Sequence, residues 1–391
     1  MKRNILLIFT FFLCFTIASC TVEDSVDFNP PIIYNPQLPY LLVNKGVAFK
    51  GIDKSQLIQG THSSWTHATV DYDKEINKFI IFYNIKRAHE IVNCRVAMRT
   101  KLPNGEFENL QIVADKLSQD FSCKTQASGI AANKDYISLV ETIINSTGKT
   151  QGTDIYRSKD KGKTWSVQNL LVYEGGIKKP FLGIVEGFLV LQSGRILTLG
   201  LYKKQTRILY SDDNGYTWNY TSMPNLSGYL YEPAWCELSD GTIICYMRAT
   251  VGENRKTKIP AYFTRSFDNG LTWELPIPSK SITNMTEANG HLFYHKDIKK
   301  VEFIYHSRFA ESDGYSSIYQ CAAKENDAKN DNMGEQYRIH YLPPQDGIGD
   351  SGYIGGAISS DNIMNIFYYA GTWQNADIYY MEGKKNSEYY K

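Results

Sequence analysis

Helical periodicity is nearly missing from these 391 residues, which argues against helix bundles and doubly wound α/β folds. A basic excess is missing too. The 42 Lys+Arg stand against 41 Asp+Glu, a formal net charge of +1, so the chain is no generic polyanion binder and no nucleic-acid partner is expected. Histidine is scarce, with seven residues and no zinc-protease spacing, and the pair His291 and His295 has no evident third ligand. The seven cysteines fit no zinc pattern, so no metal site is expected. There is no Walker loop, Rossmann fingerprint or GxSxG elbow, and no cofactor is implied. Beyond Ile5–Ile17 no apolar run approaches the ~18 residues of a membrane-spanning helix.

What is present is a chain able to bury a core, with 42% hydrophobic and 21% charged residues. Aromatics reach 13%, led by 28 Tyr. Tyr suits strands and surfaces that are apolar on one side and hydrogen-bonding on the other. Length alone is compatible with two or three domains or one large β domain.

Lys2 and Arg3 precede the apolar run Ile5–Ile17, and small residues follow, the order of a signal peptide. Ile17-Ala18-Ser19-Cys20 resembles the bacterial lipobox, which implies a signal peptide over 1–19 and a lipidated Cys20 as the mature N-terminus. Without those 19 residues, 40 basic stand against 41 acidic side chains, a charge of −1. Residues 20–45 then form the lipidated N-terminus and a proline-containing tether, and 46–391 form one domain. Glu23-Asp24 resembles a surface-export signal. The expectation is an outer-membrane lipoprotein, facing periplasm or cell surface, that meets the membrane only through its lipid.

Strand alternation and turn chemistry fill the rest. A strand, a polar turn and an apolar strand recur six times: Trp65 to Asn84, Gln126 to Thr142, Gly183 to Leu201, Glu232 to Arg248, Asn289 to Arg308 and Gly352 to Tyr369. The turns lie roughly 47 to 64 residues apart, the repeat length of a β-propeller blade, so the fold class expected is all-β, a six-bladed β-propeller. If Asp240-Gly241 is a two-residue turn, Cys236 faces Cys245, as a cross-strand disulfide or as two buried thiols. In the same register Glu232 and Arg248 are diagonal neighbours at the open end of the fourth hairpin, placed either for a site or for a plain salt bridge.

A stricter repeat, S-x-D-x-G-x-T-W, occupies Ser158–Trp165, Ser211–Trp218 and Ser266–Trp273. An Asp that accepts backbone N–H bonds, a Gly with positive φ and a packed Trp make a self-contained β-turn. These three copies resemble the Asp boxes (BNR repeats) of the sialidase (neuraminidase) superfamily, a likeness covering roughly residues 60–385. The resemblance implies a six-bladed propeller with the boxes on its outer hairpins, in a structural role. It also implies an exo-sialidase-like glycoside hydrolase acting on sialylated or other acidic-sugar glycans.

The resemblance extends to a candidate site. Glu232, Glu237 and Arg248 match the family segment in which Glu is followed by Glu-Leu-x-Asp-Gly and then Arg. It assigns Glu232 as the base that activates a Tyr nucleophile and Arg248 as a clamp for the substrate carboxylate. Arg308, closing the fifth hairpin, is taken as a second clamp, since guanidinium matches a carboxylate bidentately and stays charged. Tyr353 follows Gly352 just before the last inner strand, as the family's nucleophile does. Tyr is an exception to the two-carboxylate rule for glycosidases, and with a pKa near 10 it needs an adjacent base. The family's first arginine has no counterpart in Ser63–Thr69, where His67 is the substitute, with Arg87 nearby. The acid/base is assigned to Asp120, with Asp115 the lesser candidate. Phage endosialidases keep Glu and two arginines but use a Trp and a His in the first blade, parts that Trp65 and His89 could take. An endo-acting hydrolase using Glu232 without the Tyr nucleophile, or a non-catalytic glycan-binding propeller, are the alternatives.

Overall fold

A computed structural model describes residues 37–49, 63–64, 69–86, 94–103, 105–108, 110–115, 121–144, 146–147, 149–203, 205–224, 230–249, 257–342, 349–372, 376–387 and 389. The expected signal peptide, Cys20 and most of the tether lie outside these residues. Six antiparallel sheets surround one axis. Their innermost strands are Thr69–Asp73, Phe121–Ile130, Ile184–Val190, Leu230–Glu237, Gly290–His295 and Gly349–Ile358, defining blades 1 to 6. Each touches the next, and the strand of blade 6 touches that of blade 1, so the ring is closed. All six hairpins read from the sequence are the inner hairpins of these blades.

Closure also uses the chain's beginning. Tyr40–Phe49 pairs antiparallel with Ala376–Lys385 as the outer strand of blade 6. The polypeptide therefore enters the propeller before residue 46, because this outer edge is completed from the N-terminal side.

The core is split into wedges between blades, and this explains the continuous apolar runs. In blade 1, Phe79, Ile81 and Tyr83 pack toward blade 6, while Ile80 and Phe82 pack toward blade 2. Both faces of a blade are buried, so period-2 alternation between apolar and polar residues is lost on the second strands. Among the described residues no helix is long and apolar enough to cross a membrane.

The three Asp boxes join third to fourth strands in blades 2, 3 and 4. In the second box, Gly215 N–H donates to Ser211 Oγ (2.7 Å), Thr217 N–H to Asp213 Oδ1 (2.8 Å) and Trp218 Nε1–H to the Gly215 carbonyl (3.0 Å). The other boxes repeat these bonds. Gly162, Gly215 and Gly270 hold φ of 87°, 81° and 80°. Each box docks on the preceding blade: Lys161 donates to Glu75, Arg157 to the Asn214 carbonyl and Arg195 to the Asn269 carbonyl. The boxes sit with the inner-hairpin turns, as the bond from Asn133 N–H to Asn214 Oδ1 shows, and away from the strand ends that carry Glu232 and Arg248.

The register of the blade 4 hairpin differs from expectation. Cys236 faces Ile244 and Cys245 faces Trp235. The Gly241 N–H bonds the Leu238 carbonyl and the Leu238 N–H bonds the Thr242 carbonyl, leaving a three-residue loop with Gly241 at φ 83°. One extra loop residue moves one cysteine to the opposite face of the blade. Cys236 packs in the wedge with blade 5, Cys245 in the wedge with blade 3, and both are free buried thiols.

Candidate active site

Two irregularities build the site. Pairing in blade 4 skips between Tyr231 and Ala234, and in blade 6 between Gly352 and Gly355. A β-bulge re-aims the residue it releases from the ladder. The first residues so released are Glu232 and Tyr353, and each has φ of 54°. Left-handed backbone at a non-glycine residue costs about 1–3 kcal/mol and concentrates at functional positions. The bulge also corrects the expected diagonal, since Arg248 stands opposite Tyr231, its guanidinium 4.9 Å from the Tyr231 ring centre.

The released side chains meet. Tyr353 OH donates to Glu232 Oε1 at 2.6 Å. Arg248 Nη1 donates to Glu232 Oε1 at 2.9 Å and to Oε2 at 3.1 Å. Arg248 Nε is buried and has no hydrogen-bond partner among the described residues. On the other side of Tyr353, Arg308 lies 5.8 Å from its ring centre. Arg308 donates to the Ser351 carbonyl (3.2 Å) and to Tyr369 OH (3.0 Å), and Tyr369 donates to Asp350 Oδ1 (3.1 Å). Tyr369 stacks on Tyr353 at 5.8 Å. Gly352 lies where these groups converge. A Cβ there would come within 3.2 Å of His306 Nδ1 and 3.5 Å of Arg308 Nη2, a tight fit, and the φ of 151° is one that residues with a Cβ rarely adopt, so glycine is favoured just before Tyr353.

The electrostatics follow from burial. Glu232 and Tyr353 are only 4% and 6% exposed, so water screens their interaction little. Burial, and then the Glu232 charge, raise the Tyr353 phenol well above its ordinary value, while Arg248 and Arg308 pull it down. The resting phenol is neutral, with its proton already directed at a carboxylate. That arrangement suits nucleophilic attack in which the proton leaves as the bond forms.

Four sequence-predicted residues, Glu232, Arg248, Arg308 and Tyr353, are thus brought into one cluster from blades 4, 5 and 6. Asp115 is not part of it, because it pairs with Arg95 at 3.1 Å on the outer strand of blade 1. Asp120, Trp65, His67, Arg87 and His89 lie outside the described residues. His295 bonds Glu302 at 2.8 Å, and among the described residues no group of metal-ligating side chains occurs.

Sequence reasoning missed Glu186, Asp350 and Tyr369. Asp350 and Tyr369 orient Arg308. Glu186 accepts the Glu232 N–H at 2.8 Å. Its signal was legible, since it is the one charged residue in the apolar strand Ile184–Val190. A cavity of about 590 Å³ runs along the axis, lined by residues that include Asp71, Ser128, Glu186, Trp235, His291 and Gly355. It reaches Glu232, but Tyr353, Arg248 and Arg308 do not line it, so it lies behind the cluster.

Comparison with known proteins agrees with this architecture. The BNR repeat-like domain matches residues 95–294. No curated protein matches the chain. Among solved structures, a protein of unknown function from Dyadobacter fermentans superposes with a TM-score of 0.68 at 15% identity, covering 89% of this chain and 99% of that one. The leech intramolecular trans-sialidase, complexed with 2,7-anhydro-Neu5Ac, gives 0.66 at 13% identity over 88% of this chain and 71% of its own. The intramolecular trans-sialidase of Ruminococcus gnavus, complexed with oseltamivir carboxylate, gives 0.64 at 10% identity over 88% and 97%. At these identities the likeness is one of fold.

Proposed function

Because the chain belongs to the BNR repeat-like domain family, we propose that it is an exo-acting, sialidase-like glycoside hydrolase that releases sialic acid or a related 2-keto sugar acid from glycans. The observation that carries this reading is the 2.6 Å hydrogen bond from Tyr353 to Glu232, between two arginines. In this scheme Arg248 and Arg308 hold the substrate carboxylate.

Tyr353 Oη attacks the anomeric carbon and its proton passes to Glu232. The bond to the leaving oxygen breaks, and that oxygen takes a proton from the general acid, assigned to Asp120. Water then releases the sugar from Tyr353, with Asp120 taking the proton of water and Tyr353 recovering its own from Glu232. A neutral phenol approaches an anionic sugar without the repulsion a carboxylate nucleophile would meet.

Incubation with sialyl-lactose and with polysialic acid, followed by product analysis, tests the proposal. Free monosaccharide supports it. Oligomeric products from polysialic acid would replace it with endo cleavage, and binding without products would leave a glycan-binding propeller. We further propose that Cys20 carries a lipid at the outer membrane. Cys20→Ala should abolish palmitate labelling and release the protein from membranes, and labelling that persists would reject it.

A further inference from the structure

The dyad depends on two residues whose backbones are in an unfavourable conformation, so something must hold them there. The bulges alone do not, because released residues have lost their ladder bonds. In each case a polar side chain from the preceding blade supplies the missing partner. Glu186 of blade 3 reaches across to blade 4, where its Oε2 accepts the Glu232 N–H at 2.8 Å. Asn289, at the start of the blade 5 hairpin, reaches to blade 6, where its Oδ1 accepts the N–H of Ile354, next to Tyr353, at 3.0 Å.

We propose that Glu186 and Asn289 are positioning residues for the dyad, each clamping the backbone of one bulge so that Glu232 and Tyr353 point at each other. Neither touches the reacting groups through its side chain. The kinetic side of this inference rests on the hydrolase reading above, and the conformational side does not.

Glu186 has a property suited to the task. Burial, and then the Glu232 charge, push it up to about 8. At neutral pH it therefore accepts the N–H largely as a neutral acid and adds little second negative charge beside Glu232. The charged groups that bear on it are Glu232 and Arg248 from blade 4 and Glu141 from blade 2. Asp71 of blade 1 and His291 of blade 5 line the same axial cavity. A related clasp, Asp71 Oδ2 accepting Ile130 N–H at 2.9 Å, lies at the turn end of the inner strands, where no dyad residue sits, and supplies the control.

The test uses the full chain with Glu186→Ala, Glu186→Gln, Asn289→Ala, Asn289→Asp and Asp71→Asn. Crystal structures report the φ of Glu232 and the Tyr353–Glu232 distance, and steady-state kinetics on sialyl-lactose report kcat and KM separately. Gln and Asp retain an acceptor oxygen, so both should keep the dyad geometry. The two alanine variants should break the 2.6 Å contact and lower kcat by about 30-fold or more, with KM changed by less than about 3-fold. Asp71→Asn should leave kcat unchanged. Alanine variants that keep positive φ at Glu232 and an intact dyad would overturn the inference, as would Gln or Asp variants that fail to retain it. Should an alanine variant not fold, the Gln and Asp structures still decide. If the wild-type protein hydrolyses nothing, the hydrolase reading fails and the crystallographic comparison still settles the clamps.

Discussion

Glu232 and Tyr353 stand 121 positions apart in the chain and two blades apart in the ring, yet share a 2.6 Å hydrogen bond and the same backbone φ of 54°. Both are released by a bulge at the same end of an inner strand. The matching conformations argue that the contact is built into the backbone. A surface ion pair between flexible side chains would need no such strain.

Removal of the Tyr353 hydroxyl tests the nucleophile. Tyr353→Phe keeps the ring that stacks on Tyr369 and should fold normally. Release of free sugar from sialyl-lactose should fall by about 1,000-fold or more while ligand binding persists. A variant that retains full turnover removes Tyr353 from the mechanism.

The arginines should separate binding from chemistry. Arg308 is held by Ser351, Tyr369 and Asp350 in one orientation, and a lysine cannot reproduce that fork. Arg308→Lys should raise KM by about 10-fold or more, with a smaller effect on kcat. An unchanged KM would show that Arg308 does not meet the substrate.

Stability should depend on pH through Glu186. Its folded pKa of about 8 is above the ordinary 4.5, so the folded protein keeps a proton that the unfolded chain gives up. The stabilising effect is complete below about pH 4.5 and is lost as pH rises toward about 8. Relative to wild type, Glu186→Gln should therefore gain melting temperature on going from pH 5 to pH 8. A constant difference between the two melting curves would place Glu186 at its ordinary pKa.

The Asp boxes should affect stability without touching chemistry. An Ala at Gly215 must adopt φ of 81°, and its Cβ would sit 2.9 Å from Ile137 Cδ1 on the neighbouring blade. Gly215→Ala should cost about 1–3 kcal/mol in chemical denaturation and leave the activity of the folded fraction intact. Gly175, in the exposed hairpin Leu171–Pro180, has positive φ but open space around it, so Gly175→Ala separates conformational strain from the clash.

The cysteines give a direct check on register. Cys236 and Cys245 lie in different wedges and are free. Thiol titration without reductant should find both unreactive in the folded protein and both reactive in guanidinium. Detection of a Cys236–Cys245 disulfide by mass spectrometry would require the one-residue register shift that the loop geometry opposes.

Much of this protein was determined by sequence alone. Six inner hairpins, three Asp boxes and the absence of helical periodicity are local patterns, and local patterns specify turns and strands directly. The resemblance also pointed to Glu232, Arg248, Arg308 and Tyr353 individually. What only tertiary structure decided is how they meet. One extra loop residue at Gly241 displaced the register of blade 4, and bulges after Tyr231 and Gly352 re-aimed the dyad. Neither feature has a periodicity to read. Among the partners of the site, Glu186 and Asn289 act across blades through hydrogen bonds between residues distant in sequence, and Asp350 and Tyr369 act across the paired strands of one hairpin. The two contacts between blades depend on the closure of the ring, which sets the distance between neighbouring inner strands, and a linear pattern carries no record of that distance.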